Sequence, residues 1–298
     1  EFRLDMGWIP ETEIRNLIHS IVEKRSYYRL PNGSLLPLDN DEMRQIADFI
    51  QDTGLLDSDI TGSVIKVPLT RGISMLDRPQ QAGVKLDKPV RQLLDNLRHP
   101  DNLDFPIPAS LKHVLRDYQK LGYQWLKTLA YYGFGGILAD DMGLGKTVQS
   151  IAFLVSVLPE IRKRRIPALV ISPGSLVYNW RDEFAKFAPD IRVLIADGNG
   201  RERANKIARQ AEYDVVVTSY PLLLRDVGRY AEYHFHTLIL DEAQYFKNHS
   251  TQTAKAVKAL QADHRFALTG TPIENRLEEL WSIFDIVFPA LFQNRKTF

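Results

Sequence analysis

Gly136-Ile-Leu-Ala-Asp-Asp-Met-Gly-Leu-Gly-Lys-Thr147 joins a short apolar run to a glycine-rich turn ending in Lys-Thr. A phosphate-binding loop of the form G-x-x-x-x-G-K-[ST] requires a glycine five residues before Gly145, and Asp140 stands there instead. The context still suits a nucleotide, because Gly136 to Ala139 reads as a strand and Val148 onward as a helix. Gly143 and Gly145 would let backbone amides approach phosphate oxygens without a Cβ in the way. The helix N-terminus adds oriented N–H groups and partial positive charge. Lys146 is placed to meet the β and γ phosphates, and the Thr147 hydroxyl to hold Mg²⁺. Without the first glycine, the pattern alone leaves an ordinary strand–helix turn as the alternative.

Outward from this loop the rhythm is regular. Apolar strand candidates are Gly136–Ala139, Ala168–Ser172, Val193–Ala196, Val215–Thr218, Thr237–Leu240 and Phe266–Thr269. Helical periodicity separates them at Val148–Leu158, Leu176–Phe187, Arg201–Gln210, Thr253–Leu260 and Arg276–Val287. Continuous apolar strands alternating with helices imply an α/β fold with a parallel sheet buried on both faces. In such sheets ligands lie beyond the carboxyl ends of the strands. Thr237-Leu-Ile-Leu-Asp-Glu-Ala-Gln244 ends a strand in two adjacent carboxylates. Asp241 there could complete a Mg²⁺ shell beside Thr147, while Glu242 orients and deprotonates an attacking water. Two acids at a helix N-terminus, complementing its dipole, are the structural alternative for Asp241-Glu242 taken alone.

Before residue 105 the elements are shorter and mixed. Tyr27 to Leu38 sets Pro31-Asn32-Gly33 between two apolar runs, a β-hairpin signature. Asp39–Ile50 has near-helical apolar spacing, Ser63–Leu69 reads as a strand, and Asp87–Leu97 as a short helix. His99 to Leu111, rich in Pro and Asp, reads as a linker. The organisation expected is an accessory α+β region over 1–105 and a nucleotide-binding domain over 106–298.

The 298 residues are 44% hydrophobic and 25% charged with a net charge of +1, so any polyanion partner would have to be met by a local basic face. There are no cysteines, which excludes disulfides and thiolate zinc sites and permits a reducing, intracellular setting. No apolar run approaches the roughly 18 residues of a membrane span, and the first residues lack the pattern of a signal peptide. The absence of an initiator Met points to an excised fragment.

Six blocks in order then resemble the first motor lobe of Swi/Snf-type ATPases of helicase superfamily two. They are Leu115–Leu126, Ile137–Thr147, Leu169–Phe184, Val215–Tyr220, Leu238–Asn248 and Ala267–Pro289. Helicases of this superfamily commonly dispense with the first loop glycine, so the departure at Asp140 is the family's own form. The resemblance implies a RecA-like lobe and assigns roles. Gln119 would read the adenine edge of ATP, Lys146 and Thr147 take phosphates and Mg²⁺, Asp241 holds the metal and Glu242 the water. Thr269, Gly270 and Thr271 would couple this site to the nucleic-acid track. Ser172, Pro173, Gly174 and Ser175, with Thr218 and Ser219, would grip one strand's phosphates. Gln244 replaces the more usual histidine of a DEAH form, implying altered coupling without loss of hydrolysis.

The hairpin region looks like the accessory segment that precedes bacterial motors of this family. The implied activity is ATP-driven translocation on double-stranded DNA, displacing a bound protein such as a polymerase, in the bacterial cytoplasm at the nucleoid. A strand-separating RNA or DNA helicase and a non-catalytic ATP-fold scaffold are the alternatives. Because the sequence stops soon after the sixth block, the family's second lobe and its arginines are expected to lie outside it, and slow hydrolysis by this stretch alone is expected.

Several features are assigned structural roles. The basic run Ile161–Arg165 complements a helix C-terminus. His234 and His236, lacking a third ligand, form a strand-edge pair. Tyr131, Tyr132 and Phe134 could stack bases but are expected to pack beneath the loop, and Trp125 and Trp180, which match apolar positions of the family, are expected in the core.

Overall fold

The computed structural model describes residues 2–3, 9–41, 43–44, 46–47, 60–61, 64–65, 88–140, 143–246, 251–270 and 277–288. The chain divides into two compact units, Glu1–Arg91 and Gln92–Phe298. The second holds six strands: β1 (Gly136–Leu138), β2 (Ala168–Ser172), β3 (Val193–Ile195), β4 (Val215–Ser219), β5 (His234–Leu240) and β6 (Gln261–Leu268). They form one sheet in the order β1-β6-β5-β2-β4-β3, and every pairing is parallel. Helices α1 (Asp117–Tyr131), α2 (Lys146–Arg164), α3 (Val177–Phe187), α4 (Gly200–Ala208), α5 (Tyr220–Tyr230), α6 (Gln252–Ala259) and α7 (Leu277–Val287) accompany it.

Every residue of β2 and β4 is buried, which is why these strands read as continuous apolar runs. Alternation still sorts side chains to two faces. Leu238, Leu240 and Ala267 pack with Leu223 and Tyr230 of α5, Val257 of α6 and Ile283 of α7. Phe266 takes the opposite face, where its ring meets Phe153 of α2 edge-on at 5.1 Å.

Three boundaries differ from the periodicity reading by three residues or more. Helix α2 continues through Pro159 to Arg164 although its apolar spacing stops at Leu158. Buried Ile161 and the pairs of Arg162 with Asp214 and Arg164 with Asp263 hold the last turn, offsetting the hydrogen bond that Pro159 cannot donate. Strands β5 and β6 begin earlier than their apolar stretches, at His234 and Gln261, because these residues pair with each other in register. Helix α5 is not among the helical stretches read from the sequence, although its start is marked by Ser219, whose hydroxyl accepts from Leu222 N–H, and by Pro221 in the first turn.

The Pro- and Asp-rich stretch from His99 to Leu111 forms two short 3₁₀ turns, Pro100–Leu103 and Ala109–Leu111, and is pinned to α1. Gln124 donates to the Phe105 carbonyl at 2.6 Å and accepts from its N–H at 2.9 Å. The Tyr123 hydroxyl donates to Pro106 and that of Thr128 to Pro100. A stretch without a ladder of its own thus has its backbone groups satisfied by helix side chains.

In the first unit, helix Glu11–Val22 buries Ile14, Leu17, Ile18 and Ile21 with Leu38 and Met43. The anticipated hairpin pairs Tyr27–Arg29 with Leu35–Pro37 around Gly33, whose φ of +87° requires glycine. Asp41, Met43, Arg44, Ile46 and Ala47 are helical, and Val64–Ile65 is a strand. The rest of the 39–50 and 63–69 expectations lies outside the described residues. The anticipated helix near residue 87 runs Lys88–Arg98.

Two predictions follow from the second unit's buried polar groups. Gln124→Leu leaves both polar groups of Phe105 unpaired and is expected to lower stability in urea unfolding by about 1–3 kcal/mol. Burial pushes the Asp214 carboxyl up, but Arg162 and Arg192 hold it well below its ordinary 3.8. Its stabilisation is therefore complete above that value and is lost as pH falls through the lower folded-state value. Asp214→Asn should cost about 2 kcal/mol at pH 7 after discounting for the half-exposed arginines, with the difference from the parent shrinking below about pH 4.

Candidate functional site

The parallel register brings the strands to a common carboxyl edge. Leu138 pairs with Leu268, Leu240 with Ala267 and Ile171, and Ser172 with Ser219. The segments that follow these residues contain nearly all of the candidate chemistry.

After β1, Gly143 and Gly145 have φ of +84° and +76°, left-handed conformations that glycine adopts without steric cost. Gly145 caps the N-terminus of α2, and a Cβ there would lie 2.4 Å from Gln119 Nε2. Gln119 is itself engaged: its amide donates to the Leu144 carbonyl at 3.0 Å and accepts from Arg116 N–H at 2.9 Å. The residue expected to read adenine therefore also braces the loop against the start of α1. Asp140, in place of the first glycine, accepts from Gln149 Nε2 of α2 at 3.1 Å, while its carbonyl accepts from Lys146 Nζ at 2.7 Å. Thr147 follows, half-buried, in the first turn of α2.

Beyond β5, Asp241 is 8% exposed and held by three contacts. Its Oδ2 accepts from the Trp180 indole N–H at 2.8 Å and its Oδ1 from Glu242 N–H at 2.9 Å. Its carbonyl accepts from the Tyr220 hydroxyl at 2.6 Å. Burial raises the carboxyl above its ordinary range, against the pull of the Trp180 bond and the nearby Lys146 charge. Glu242 adopts φ of +49°, a conformation that costs a non-glycine residue about 1 kcal/mol or more. Its carboxylate accepts from Gln244 Nε2, whose amide oxygen accepts from the Thr269 hydroxyl at 3.0 Å. A polar relay thus crosses from the end of β5 to the end of β6, where Gly270 is also buried. Thr271 lies outside the described residues.

The proposed phosphate-gripping loops are arranged unequally. Gly174 and Ser175 are exposed, whereas Ser172, Pro173, Thr218 and Ser219 are buried. The Ser172 hydroxyl donates to Pro173 and that of Thr218 to Ala196. These two hydroxyls lie within the ends of β2 and β4, buried and donating to backbone carbonyls.

Other sequence features fall into place. Arg162 and Arg164 of the basic run are ion-paired in the last turn of α2. His234 pairs with Asp263, and buried His236 bonds Thr237. No group of three acidic or histidine side chains that could hold a metal occurs among the described residues. Phe134 is buried, while Tyr131 is 65% exposed against Phe105 and Tyr132. Trp180 is buried as expected, but its contact with Asp241 went unread, and so did the role of Tyr220. The available signal was chemical: a buried indole N–H or phenol needs an acceptor.

Comparison with known proteins gives this geometry a family. Residues 118–298 match the model described as "SNF2-related domain", and residues 1–108 the one described as "Bacterial SNF2 helicase associated". YwqA of Bacillus subtilis is 39% identical over 253 residues, covering 83% of this chain and 27% of YwqA. The TATA-binding protein-associated factor MOT1 of Saccharomyces cerevisiae is 34% identical over 266 residues, covering 85% of this chain and 14% of MOT1. The chain thus spans only about a quarter or less of these relatives' lengths. The Sulfolobus solfataricus SWI2/SNF2 ATPase core in complex with dsDNA superposes with a TM-score of 0.54 at 43% identity, over 59% of this chain and 36% of that one. With a loop, a carboxylate strand end and a parallel sheet of this kind, and a family model matching more than half of its length, the chain belongs to the SNF2-related domain family.

Proposed function

We propose that this lobe binds ATP with Mg²⁺ at the carboxyl edge of the sheet and serves an ATP-driven translocase on double-stranded DNA. The observation that carries the reading is the convergence on one edge of a left-handed glycine loop with its lysine and a buried carboxylate at the end of β5. Gly143 and Gly145 leave backbone amides open to phosphate oxygens, and the start of α2 adds its dipole. Lys146 exchanges the Asp140 carbonyl for phosphate when nucleotide enters. The Thr147 hydroxyl and the Asp241 carboxylate are hard oxygen donors suited to Mg²⁺, and each Asp241 oxygen retains a lone pair beyond its present bond. Bound there, Mg²⁺ would neutralise charge on the phosphates. Glu242 orients the attacking water, its position set by Gln244, and Gln244 with Thr269 carries the state of the site to β6.

Gly174 and Ser175, exposed on the same edge, are the available contacts for a phosphate backbone. Such contacts position a duplex without reading its sequence, and they weaken with salt. No helix among the described residues is long and apolar enough to cross a membrane. A duplex partner places the working protein at the bacterial nucleoid, where a DNA-bound protein is its natural obstacle.

Three measurements test this reading. Lys146→Ala should weaken binding of a fluorescent ATP analogue by about tenfold or more, since a charge-assisted contact to phosphate is lost. Glu242→Gln should retain binding while lowering turnover by about 10²-fold or more. Turnover should rise with duplex DNA above its level with single strands or RNA. A preference for single strands or RNA would favour a strand-separating helicase, and unchanged nucleotide binding in Lys146→Ala would move the nucleotide elsewhere.

A further inference from the structure

We infer that Trp180 and Tyr220 are positioning residues that clamp Asp241 from the segments following β2 and β4, so that these segments, the first of which carries the exposed Gly174 and Ser175, and the nucleotide site sense each other. The inference rests on the nucleotide-site reading above and adds the route by which that site communicates. Trp180 lies in the first turn of α3, directly after the tight turn Gly174–Leu176. That turn is closed by Leu176 N–H donating to the Pro173 carbonyl at 2.9 Å, so turn and helix form one continuous element. Tyr220 is the first residue of α5 and follows Ser219. Both rings are essentially inaccessible, at 1% and 2% exposure.

Their polar ends meet at one residue. The indole N–H is purely a donor and must find an acceptor when buried; the one it reaches is the Asp241 carboxylate, 61 residues away in sequence. The phenol reaches the carbonyl of the same residue. The peptide joining Asp241 to Glu242 is therefore held at both ends, its C=O by Tyr220 and its N–H by Asp241 Oδ1. Holding that plane keeps Glu242 in its left-handed conformation and aims its carboxylate at Gln244.

A core that needed only volume could take phenylalanine at either position. What indole and phenol add includes a hydrogen bond from each to the proposed metal-binding residue. A phosphate backbone that shifts the exposed Gly174–Leu176 turn would carry the first turn of α3 and Trp180 along and bear on Asp241 directly. If the clamp couples the two regions, filling the nucleotide site should in turn slow local opening of the two segments that follow β2 and β4.

The test uses Trp180→Phe and Tyr220→Phe in this chain, each removing one polar contact while keeping a ring. Affinity for a slowly hydrolysed ATP analogue with Mg²⁺ is measured first, followed by amide hydrogen exchange with and without it. In the parent, nucleotide should slow exchange in Gly174–Val177 and Ser219–Leu222 by about fivefold or more, the lower end of ordinary coupling. In the two variants, compared at saturating analogue, the slowing should fall below about twofold. Phe184→Leu disturbs the packing beside Trp180, whose ring centroid is 5.9 Å away, without touching its N–H. It should lower stability and keep the response. Protection of β2 and β4 in the same data reports whether each variant is folded.

A parent-like response in folded Trp180→Phe and Tyr220→Phe overturns the clamp, as does a parent that binds nucleotide without any response in these segments. Loss of the response in Phe184→Leu as well would assign the effect to packing and also overturn it. A parent that binds no nucleotide refutes the nucleotide-site reading itself, a failure that the binding titration separates from the others.

Discussion

The end of β5 is the point on which the functional edge of this lobe depends. The strand is paired on both sides, with β6 and with β2, and is buried from Phe235 to Leu240. Parallel pairing across both neighbours leaves little freedom in where Asp241 emerges. A slip by one residue would turn Leu238 and Leu240 out of their cluster and reverse the faces of the strand. The apolar core thus sets the position of a carboxylate that is costly to bury. That cost is met locally, by an indole N–H and a backbone N–H on its two oxygens.

The glycine loop illustrates how a departure from a pattern can be a substitution of means. Asp140 supplies a side chain where the usual motif has none, and that side chain ties the loop to Gln149 within α2. Gln149 is accommodated because Gly122 faces it: a Cβ there would come within 1.8 Å of its amide oxygen. Gln119 braces the loop from the other side through Leu144. The loop is held in shape by side-chain amides from α1 and α2, and Lys146 donates to its own loop's carbonyl at Asp140.

Strain and polarity are concentrated where the proposed chemistry lies. Glu242 sits in the left-handed region immediately after a strand, and Gln244 and Thr269 link it to the neighbouring strand end. Away from this edge, charges are used to hold the fold together. Asp214 gathers Arg162 and Arg192, and Asp226 gathers Arg203 and Arg229. The near-neutral net charge is therefore distributed, with much of the arginine committed to ion pairs within the lobe.

Much of this was legible in the chain because the relevant physics is local. Continuous apolar runs announced strands buried on both faces, and Gly143, Gly145 and Lys146 announced a loop between strand and helix. Asp241-Glu242 at the close of an apolar run announced a strand end with acid chemistry. Tertiary structure decided what depends on partners distant in sequence. It carried α2 past Pro159, because ion pairs to Asp214 and Asp263 lie 52 and 99 residues away. It fastened the Pro-rich stretch to α1 and withdrew the Ser172 and Thr218 hydroxyls from solvent. It turned Trp180 and Tyr220 toward Asp241, because a buried donor's acceptor is chosen by packing across the sheet, which no local pattern of residues encodes.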